Sequence, residues 1–330
     1  MEPRIQYAKT SDGVNIGYWT MGEGMPLVFP GYPVAPAQTL TEDRKWYERL
    51  ALSLQLIRFD HRGVGISDRE PVDYSLEAQA LDVLAVMDHL GTAEFALLGA
   101  WDSGPGMIAF AANHPHRVSS LILYNTYARG ADIKTPPEMR GLRALLDKNW
   151  ELYVETFARV NMGWDDESAR QWAQALRRDV TPKAYRDAVT RSRQFDVTDL
   201  LPRVTCPTLV VHKRDLAYLG VATARRIAAG IPNARLLLLE GRLPTTVDVA
   251  EPLGDAIDEF LTLAPSPSPP QPADPGPPAA SGTAVILFAD IANSTGLTER
   301  IGDAAFRDNR GRRSAGWPPR SARQAPRSWR

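Results

Sequence analysis

The sequence has little cysteine, no long apolar run and almost no net charge. Cys206 is the only cysteine in 330 residues, so no disulfide can form within the chain. No apolar run approaches the roughly 20 residues of a membrane-spanning helix, and the first residues lack the apolar core of a signal peptide. A formal net charge of −1 gives no general attraction for nucleic acid or an anionic membrane. These absences predict a cytoplasmic protein whose partner is neither nucleic acid nor a membrane.

Strand-like and helix-like segments alternate along most of the chain. A hairpin is predicted where residues 5–8 and 14–19 flank the turn signal Ser11-Asp12-Gly13. Helices are predicted at residues 44–54 and 76–90, the second with Ser75 as its N-cap. Six more strands are predicted from short apolar runs, at residues 27–29, 56–59, 95–98, 121–124, 208–212 and 235–239. This alternation predicts an α/β fold with a mostly parallel eight-stranded sheet and helices on both faces.

Composition divides the chain into four parts. Residues 1–263 carry the alternation, interrupted at about 131–200 by helical patterns alone, which predict a helical cap over the sheet. Residues 264–282 are dense in proline and predict a disordered, extended linker. Residues 283–308 begin with a new strand signal. Residues 309–330 form a basic tail without periodicity, which predicts disorder.

The most informative motif lies between a predicted strand and a predicted helix, where the sequence reads Gly99-Ala100-Trp101-Asp102-Ser103-Gly104. A strand, a sharp turn and a helix are the context in which a G-x-S-x-G motif exposes a nucleophilic serine. Two positions past Gly99 this sequence has Trp101, whose indole has no basic lone pair and no ionisable oxygen or sulfur. Trp101 therefore cannot form an acyl-enzyme.

Residues 5–263 resemble the α/β-hydrolase family. The resemblance is carried by the strand–turn–helix order at the elbow, by residues 60–68 (DHRGVGISD) and by residues 115–118 (PHRV) with the strand that follows. It implies the α/β-hydrolase fold, with a nucleophile at the elbow, an acid and a histidine base on later loops, and two oxyanion N–H donors. In that family a segment like 60–68 shapes a loop and takes no part in catalysis.

The residues at the implied catalytic positions do not form a complete triad. Trp101 occupies the nucleophile position. The spacing of the family places Leu216 at the acid position, so Asp215, the only carboxylate of that turn, is a weak candidate. The implied base belongs in the loop 240–246, which has no histidine, and the last histidine of the chain is His212.

Two unusual catalytic groups remain as alternatives. Asp102 could act like the elbow aspartate of haloalkane dehalogenases and epoxide hydrolases, although those enzymes have aspartate followed by tryptophan and here the order is reversed. Ser103 could act as a displaced nucleophile, although its position is one for a small residue that packs against the neighbouring strand. Both alternatives lack a histidine partner.

The same region predicts ligand binding. Gly31 and Tyr32 lie in the loop after the third strand, where backbone N–H groups can bind an oxyanion. With Trp101 and Asp102 they are expected to line a pocket under the cap for a small apolar or carbonyl-containing ligand. Trp101 would be a wall of that pocket or would fill it.

Residues 283–308 resemble the opening strand and turn of a class III adenylate or guanylate cyclase domain. The resemblance rests on the segment 288–295 (FADIANST) and implies that the carboxylate of Asp290 and the carbonyl of Ile291 hold catalytic metals. The further residues that such a site needs have no counterpart after Asp308, so only a truncated fragment is predicted. No cofactor is expected, and Mg²⁺ would bind only to a complete cyclase domain.

These observations favour a catalytically impaired hydrolase-like domain that binds a ligand or regulates a signalling cyclase. The alternative is an active hydrolase, either an esterase or an enzyme of the dehalogenase or epoxide-hydrolase kind, which uses Asp102 or Ser103. A third interpretation is an interaction module without a ligand. The oligomeric state cannot be derived from the sequence.

Overall fold

The computed structural model describes residues 4–31, 41–69, 73–135, 137–162, 167–242 and 246–263. Its strands are β1 Gln6–Lys9, β2 Asn15–Met21, β3 Met25–Pro30, β4 Leu54–Phe59, β5 Phe95–Ala100, β6 Val118–Tyr124, β7 Thr208–Lys213 and β8 Arg235–Leu239. Its helices are α1 Thr41–Leu50, α2 Leu76–His89, α3 Gly104–Asn113, α4 Pro137–Arg143, α5 Trp150–Met162, α6 Glu167–Asp179, α7 Pro182–Ser192, α8 Val221–Gly230 and α9 Ala250–Leu263.

The eight strands form one mixed sheet in the order β1-β2-β4-β3-β5-β6-β7-β8. β1 and β2 form an antiparallel hairpin in which Ala8 is paired with Ile16, and β2 is also antiparallel to β4. The other neighbouring strands pair in parallel. The predicted hairpin and the mostly parallel eight-stranded sheet are confirmed.

Helices cover both faces of this sheet. Successive side chains of a strand point to opposite faces. On β5, Leu97 therefore joins an apolar cluster with α2, α3 and α8, whereas Ala96 and Leu98 join a second cluster with α1 and α9. The predicted covering of both faces is confirmed.

The structure confirms one predicted helix boundary and corrects another. Ser75 caps α2 as predicted, because its hydroxyl oxygen accepts a hydrogen bond from the Ala78 N–H at 3.1 Å. The predicted helix at residues 44–54 is wrong at its end, since α1 stops at Leu50 and Leu54 already belongs to β4. Leu54 pairs with Met25 of β3, and this ladder overrides the local helical pattern.

The segment between β6 and β7 carries α4, α5, α6 and α7, which share an apolar cluster of their own that includes Val154, Leu176 and Tyr185. Val64, in the loop after β4, also belongs to this cluster. That loop is held by side chains within the fold. The Ser67 hydroxyl donates to the Asp60 carbonyl at 2.6 Å, and the Arg62 Nε donates to the buried Asp82 carboxylate at 2.8 Å. These bonds fix the chain between the sheet and α4–α7.

The predictions for residues 264–282, 283–308 and 309–330 lie outside the described residues. Among the helices that the structure describes, none combines the length and the apolar character that crossing a membrane requires.

Candidate functional site

The turn between β5 and α3 has the geometry of a nucleophile elbow. Trp101 adopts a φ of 49°, a left-handed conformation that is unusual for a bulky side chain. Its carbonyl accepts a hydrogen bond from the Thr126 hydroxyl at 2.6 Å, which ties the elbow to the end of β6. The Trp101 side chain is partly buried against the apolar cluster of α1 and α9. The strained backbone of the elbow is therefore present although the usual nucleophile is not.

Two glycines allow this turn to close. A Cβ on Gly99 would lie 2.9 Å from the Met107 Cβ and 3.0 Å from the Gly104 Cα. A Cβ on Gly104 would lie 1.8 Å from the Thr126 hydroxyl oxygen. The strand, the helix and the end of β6 thus meet at distances that exclude a side chain at either position.

Ser103 is locked into the elbow. It is fully buried, and its hydroxyl oxygen accepts from the Ala100 N–H at 3.0 Å while donating to the Ala100 carbonyl at 2.8 Å. Its hydroxyl proton and its lone pairs are committed to the backbone, and it has no access to a substrate. This placement removes Ser103 from the catalytic candidates.

Asp102 is the ionisable side chain of the elbow. Its side chain is partly exposed, and its carboxylate accepts a hydrogen bond from the buried Tyr127 hydroxyl at 2.6 Å. Burial raises the pKa of Asp102 above the ordinary value, while hydrogen bonding from Tyr127, the charge of Arg193 and the Ser192 hydroxyl oppose part of that rise. A carboxylate with a raised pKa is a stronger base than an exposed one.

One more tyrosine, Tyr185 of α7, interacts with Asp102, and Tyr153 of α5 contacts Tyr185 in turn. The Tyr153 hydroxyl donates to the Tyr185 hydroxyl at 3.0 Å, and Tyr185 lies close enough to Asp102 for the two to interact electrostatically. Burial raises the pKa of Tyr127 and of Tyr185 well above the ordinary value, so both remain neutral hydroxyl groups at pH 7. The partly exposed carboxylate of Asp102 thus has a neutral hydroxyl donor in Tyr127.

The implied acid position is not part of this group. Asp215 is exposed, and its N–H donates to the Gly241 carbonyl at 3.2 Å, while Leu216 is only 7% exposed. The ion pairs near this turn involve other carboxylates, because Lys213 of β7 contacts Asp248 at 2.5 Å and Arg214 contacts Glu240 at 2.7 Å. Among the described residues, no hydrogen bond or ion pair joins the Asp215 side chain to the elbow.

All five histidines lie in the described residues, and they contact residues other than Asp102. His61 Nδ1 is 3.2 Å from the Asp82 carboxylate, and His212 Nε2 is 3.2 Å from the Leu219 carbonyl. His89 packs against Tyr18 and His114 stacks on Phe110, whereas His116 is exposed in the turn before β6. None of these histidine contacts involves Asp102.

The expected oxyanion role of Gly31 needs correction. The Gly31 N–H donates to the Phe59 carbonyl at 2.8 Å, which extends the ladder between β3 and β4, so it is not available to a substrate oxygen. Tyr32 lies outside the described residues, as do Asp290 and Ile291. A helical segment begins at Trp101, where the Gly104 N–H donates to the Trp101 carbonyl, and the N–H groups at the start of a helix generally lack intrahelical acceptors.

Sequence reasoning missed the residues that surround Asp102. Tyr127 follows β6 and is 25 residues away in the chain, while Tyr185, Ser192 and Arg193 belong to α7 and its C-terminal cap. A tyrosine after a strand and an arginine at a helix end are common in any sequence, so no local signal could have identified them. Only the packing of α7 over the elbow brings them together.

Comparisons with known proteins agree with this architecture. A family model described as the alpha/beta hydrolase fold matches residues 39–194. RutD of Caulobacter sp. (strain K31), named as a carbamate hydrolase, is 28% identical over 224 residues, which cover 65% of this chain and 83% of that protein. The non-heme chloroperoxidase of Streptomyces lividans is 26% identical over 255 residues, which cover 70% of this chain and 90% of that protein.

A solved structure shows the same fold. The esterase RhEst1 from Rhodococcus sp. ECU1013 superposes with a TM-score of 0.69 at 22% identity, covering 79% of this chain and 99% of the esterase. The chain therefore contains an α/β-hydrolase-fold domain, as the sequence resemblance predicted.

The expected function is corrected by these relatives. The interpretation as a catalytically impaired regulatory domain of a signalling cyclase is wrong, because the relatives carry the names of active enzymes, among them a hydrolase of 2-hydroxy-6-oxononadienedioate. They give no support to a fused cyclase domain. The absence of a serine at position 101 excludes one mechanism and does not exclude hydrolysis by another group.

Proposed function

We propose that this protein is a hydrolase of small carbonyl substrates, such as esters or lactones, and that Asp102 is its general base. The observation that carries the proposal is the Asp102 carboxylate, partly exposed at the elbow, raised in pKa by burial and hydrogen-bonded by Tyr127 at 2.6 Å. The names of the relatives support a hydrolytic reaction. Hydrolysis of a carbonyl substrate also fits the small carbonyl-containing ligand that the sequence predicts under α4–α7.

The reaction needs one base and no covalent intermediate. The Asp102 carboxylate takes a proton from a water molecule while the water oxygen attacks the carbonyl carbon. The resulting tetrahedral oxyanion is stabilised by N–H groups in the first turn of the helical segment that starts at Trp101. Protonated Asp102 then returns the proton to the leaving oxygen as its bond to carbon breaks. The products are a carboxylic acid and an alcohol, and Asp102 is again a carboxylate.

Activation of water fits the site better than attack by Asp102 on the substrate. Attack of the Asp102 carboxylate on the substrate carbonyl would expel the alcohol and leave an acyl anhydride on Asp102, which a second, base-activated water would have to cleave. The histidine that performs this step in elbow-aspartate enzymes has no counterpart here, because all five histidines have their contacts elsewhere. A one-step mechanism needs only the base that is present.

Single-turnover hydrolysis in ¹⁸O-labelled water tests the proposal. With the protein in excess over short-chain p-nitrophenyl esters and small lactones, we expect one ¹⁸O atom in the acid product of the first turnover and an unchanged protein mass. A covalent adduct on Asp102 would contradict the one-step mechanism. Absence of turnover across the ester and lactone panel would overturn the function itself.

Tyr127→Phe is expected to move the acid limb of the pH–rate profile to higher pH. The Tyr127 hydroxyl stabilises the ionised form of Asp102, so its removal raises the pKa of Asp102 further. Because the reaction requires the carboxylate, activity then appears only at higher pH. The measurement is kcat/KM against pH for Tyr127→Phe and the wild type. Tyr153→Phe is the control, and its acid limb is expected to lie nearer that of the wild type. An unshifted limb in Tyr127→Phe would show that Asp102 does not titrate in this profile.

A further inference from the structure

Two chain segments connect the helices α4–α7 with the sheet, and they run side by side. The entry segment, residues 127–133, follows β6, and the exit segment, residues 192–197, starts at the last residue of α7. Three pairs of residues join the two segments in antiparallel order, namely Ala128 with Val197, Arg129 with Asp196 and Gly130 with Phe195. The N–H groups of Val197 and Gly130 each donate to the carbonyl of the paired residue at 2.8 Å. We call this paired region the cap stem.

Gly130 is the position at which the two segments of the cap stem approach most tightly for a side chain. A Cβ on Gly130 would lie 2.6 Å from the Arg193 carbonyl oxygen and would also overlap the Ser192 carbonyl oxygen. Both of these atoms belong to the backbone, which cannot turn aside as a flexible side chain could. Gly130 starts a 3₁₀ turn, Gly130–Asp132, whose backbone conformation other residues also adopt, so the requirement for glycine is steric.

The cap stem begins beside the proposed base. The Tyr127 hydroxyl donates to the Asp102 carboxylate at 2.6 Å, and the next residue, Ala128, accepts the hydrogen bond from Val197. A series of direct contacts therefore leads from Asp102 through the entry segment to the exit segment. The end of α7 is held there as well, because the Arg193 Nη1 donates to the carbonyl of Ile133 at 2.7 Å. Closure of the cap stem thus fixes both Tyr127 and the end of α7.

We infer that Gly130 is a positioning residue for Asp102, because it lets the cap stem close and so keeps Tyr127 and the end of α7 over the elbow. The inference rests on the proposed function, since Asp102 is the base that is positioned. A Cβ at position 130 would push the exit segment away, and the end of α7 would move with it. The helices α4–α7 would stay attached elsewhere, because the Gly65 N–H donates to the Asp179 carbonyl at 3.1 Å.

Titration of the Asp102 carboxyl by ¹³C NMR, assigned with Asp102→Asn, tests the inference without turnover. The titratable and charged groups that face Asp102 are Tyr127 after β6, and Tyr185 and Arg193 at α7. Burial is the largest cause of the raised pKa of Asp102, so Gly130→Ala is expected to lower this pKa towards the ordinary value. The direction is opposite to that expected for Tyr127→Phe.

The pH–rate profile is expected to follow the same titration. In Gly130→Ala the acid limb of kcat/KM moves to lower pH, because Asp102 ionises more readily. Turnover at pH 7 is expected to fall by about 10- to 100-fold, since the base is weaker and less well placed. Gly141→Ala is the matched control, because nothing lies within 4 Å of its added Cβ in α4, and it is expected to titrate like the wild type.

Hydrogen exchange reports the state of the cap stem in the same proteins. The Val197 amide is expected to exchange faster in Gly130→Ala, while the amides of β5 and β6 keep their protection. α-Hydroxyvaline at position 197 is a milder variant that removes the donated N–H without adding bulk, and it decides the question where Gly130→Ala does not fold. It is expected to lower the pKa of Asp102 by a smaller amount.

The outcomes separate this inference from the proposed function. Faster exchange at Val197 with an unchanged titration of Asp102 would overturn the inference, because the cap stem would then open without effect on the base. Unchanged exchange together with an unchanged titration would overturn it too, since Gly130 would not control closure. An Asp102→Asn protein that still hydrolyses esters is a different result, and it would overturn the proposed function.

Discussion

Asp102→Asn is expected to lower hydrolytic turnover by about 10²–10⁴-fold and, at the same time, to stabilise the folded protein at pH 7. Turnover falls because asparagine cannot take a proton from water. The amide oxygen of asparagine still accepts the hydrogen bond from Tyr127, so the geometry around the elbow is kept. A residue with a purely structural role would not give this combination of effects.

The stabilisation follows from the direction of the pKa shift. Burial raises the pKa of Asp102 in the folded state above its unfolded value, so the folded state favours the protonated form. The contribution of this group to stability is complete below the unfolded pKa and is lost as the pH rises through the folded pKa. Above the folded pKa the ionised carboxylate therefore opposes folding, and the neutral amide of asparagine removes this cost.

Thermal unfolding and turnover measured on the same samples check this prediction. Each 1 kcal/mol that is relieved raises Tm by about 2–4 °C for a domain of this size, and the gain shrinks as the pH falls towards the unfolded pKa of aspartate. Asp215→Asn, which changes the exposed carboxylate near the implied acid position, is expected to alter neither property. Full activity in Asp102→Asn would overturn the assignment of the base, and a lower Tm at pH 7 would show that the carboxylate is a structural anion.

Gly104→Ala is expected to destabilise the domain by about 3 kcal/mol and to disrupt the elbow. The new Cβ would lie 1.8 Å from the hydroxyl oxygen of Thr126 and 2.5 Å from its Cβ. Gly104 has a φ of −57° and a ψ of −46°, which alanine adopts readily, so the effect is steric and not conformational. To relieve the overlap, α3 must move away from the end of β6, and the hydrogen bond from Thr126 to the Trp101 carbonyl must lengthen.

Gly141→Ala is the matched control for this substitution. Gly141 lies in α4 with nothing within 4 Å of its added Cβ, and alanine is more favourable than glycine in a helix by about 1 kcal/mol. Chemical unfolding of the two variants against the wild type is expected to give opposite signs. Equal stability of Gly104→Ala and wild type would mean that the elbow can relax, and the tight approach of β5, α3 and β6 would then not constrain the site.

Much of the fold could be predicted because its signals are local. Buried parallel strands require continuous apolar runs, which made β5 and β6 recognisable, and the Ser75 hydroxyl marked the start of α2. The prediction failed at residues 51–54, where a helical pattern continued but Leu54 joined the sheet through Met25. That outcome depends on a strand that is distant in sequence.

The site was predicted only in part. Trp101 and Asp102 were located at the elbow, because the flanking strand, turn and helix fix their place. The role of Asp102 could not be derived, since its raised pKa depends on burial and on the hydroxyl of Tyr127, 25 residues away. Gly31 was assigned to an oxyanion site, whereas its N–H extends the pairing of β3 with β4.

The sequence by itself determined the order of the strands and helices, the elbow between β5 and α3, and the absence of a histidine from the loop 240–246, because each of these depends on neighbouring residues. The tertiary structure decided that Ser103 is locked and that Asp102 has Tyr127 as its donor. Burial and electrostatic interaction act through space. Their effects on a carboxylate depend on which distant segments fold over it, and residue spacing carries no record of that.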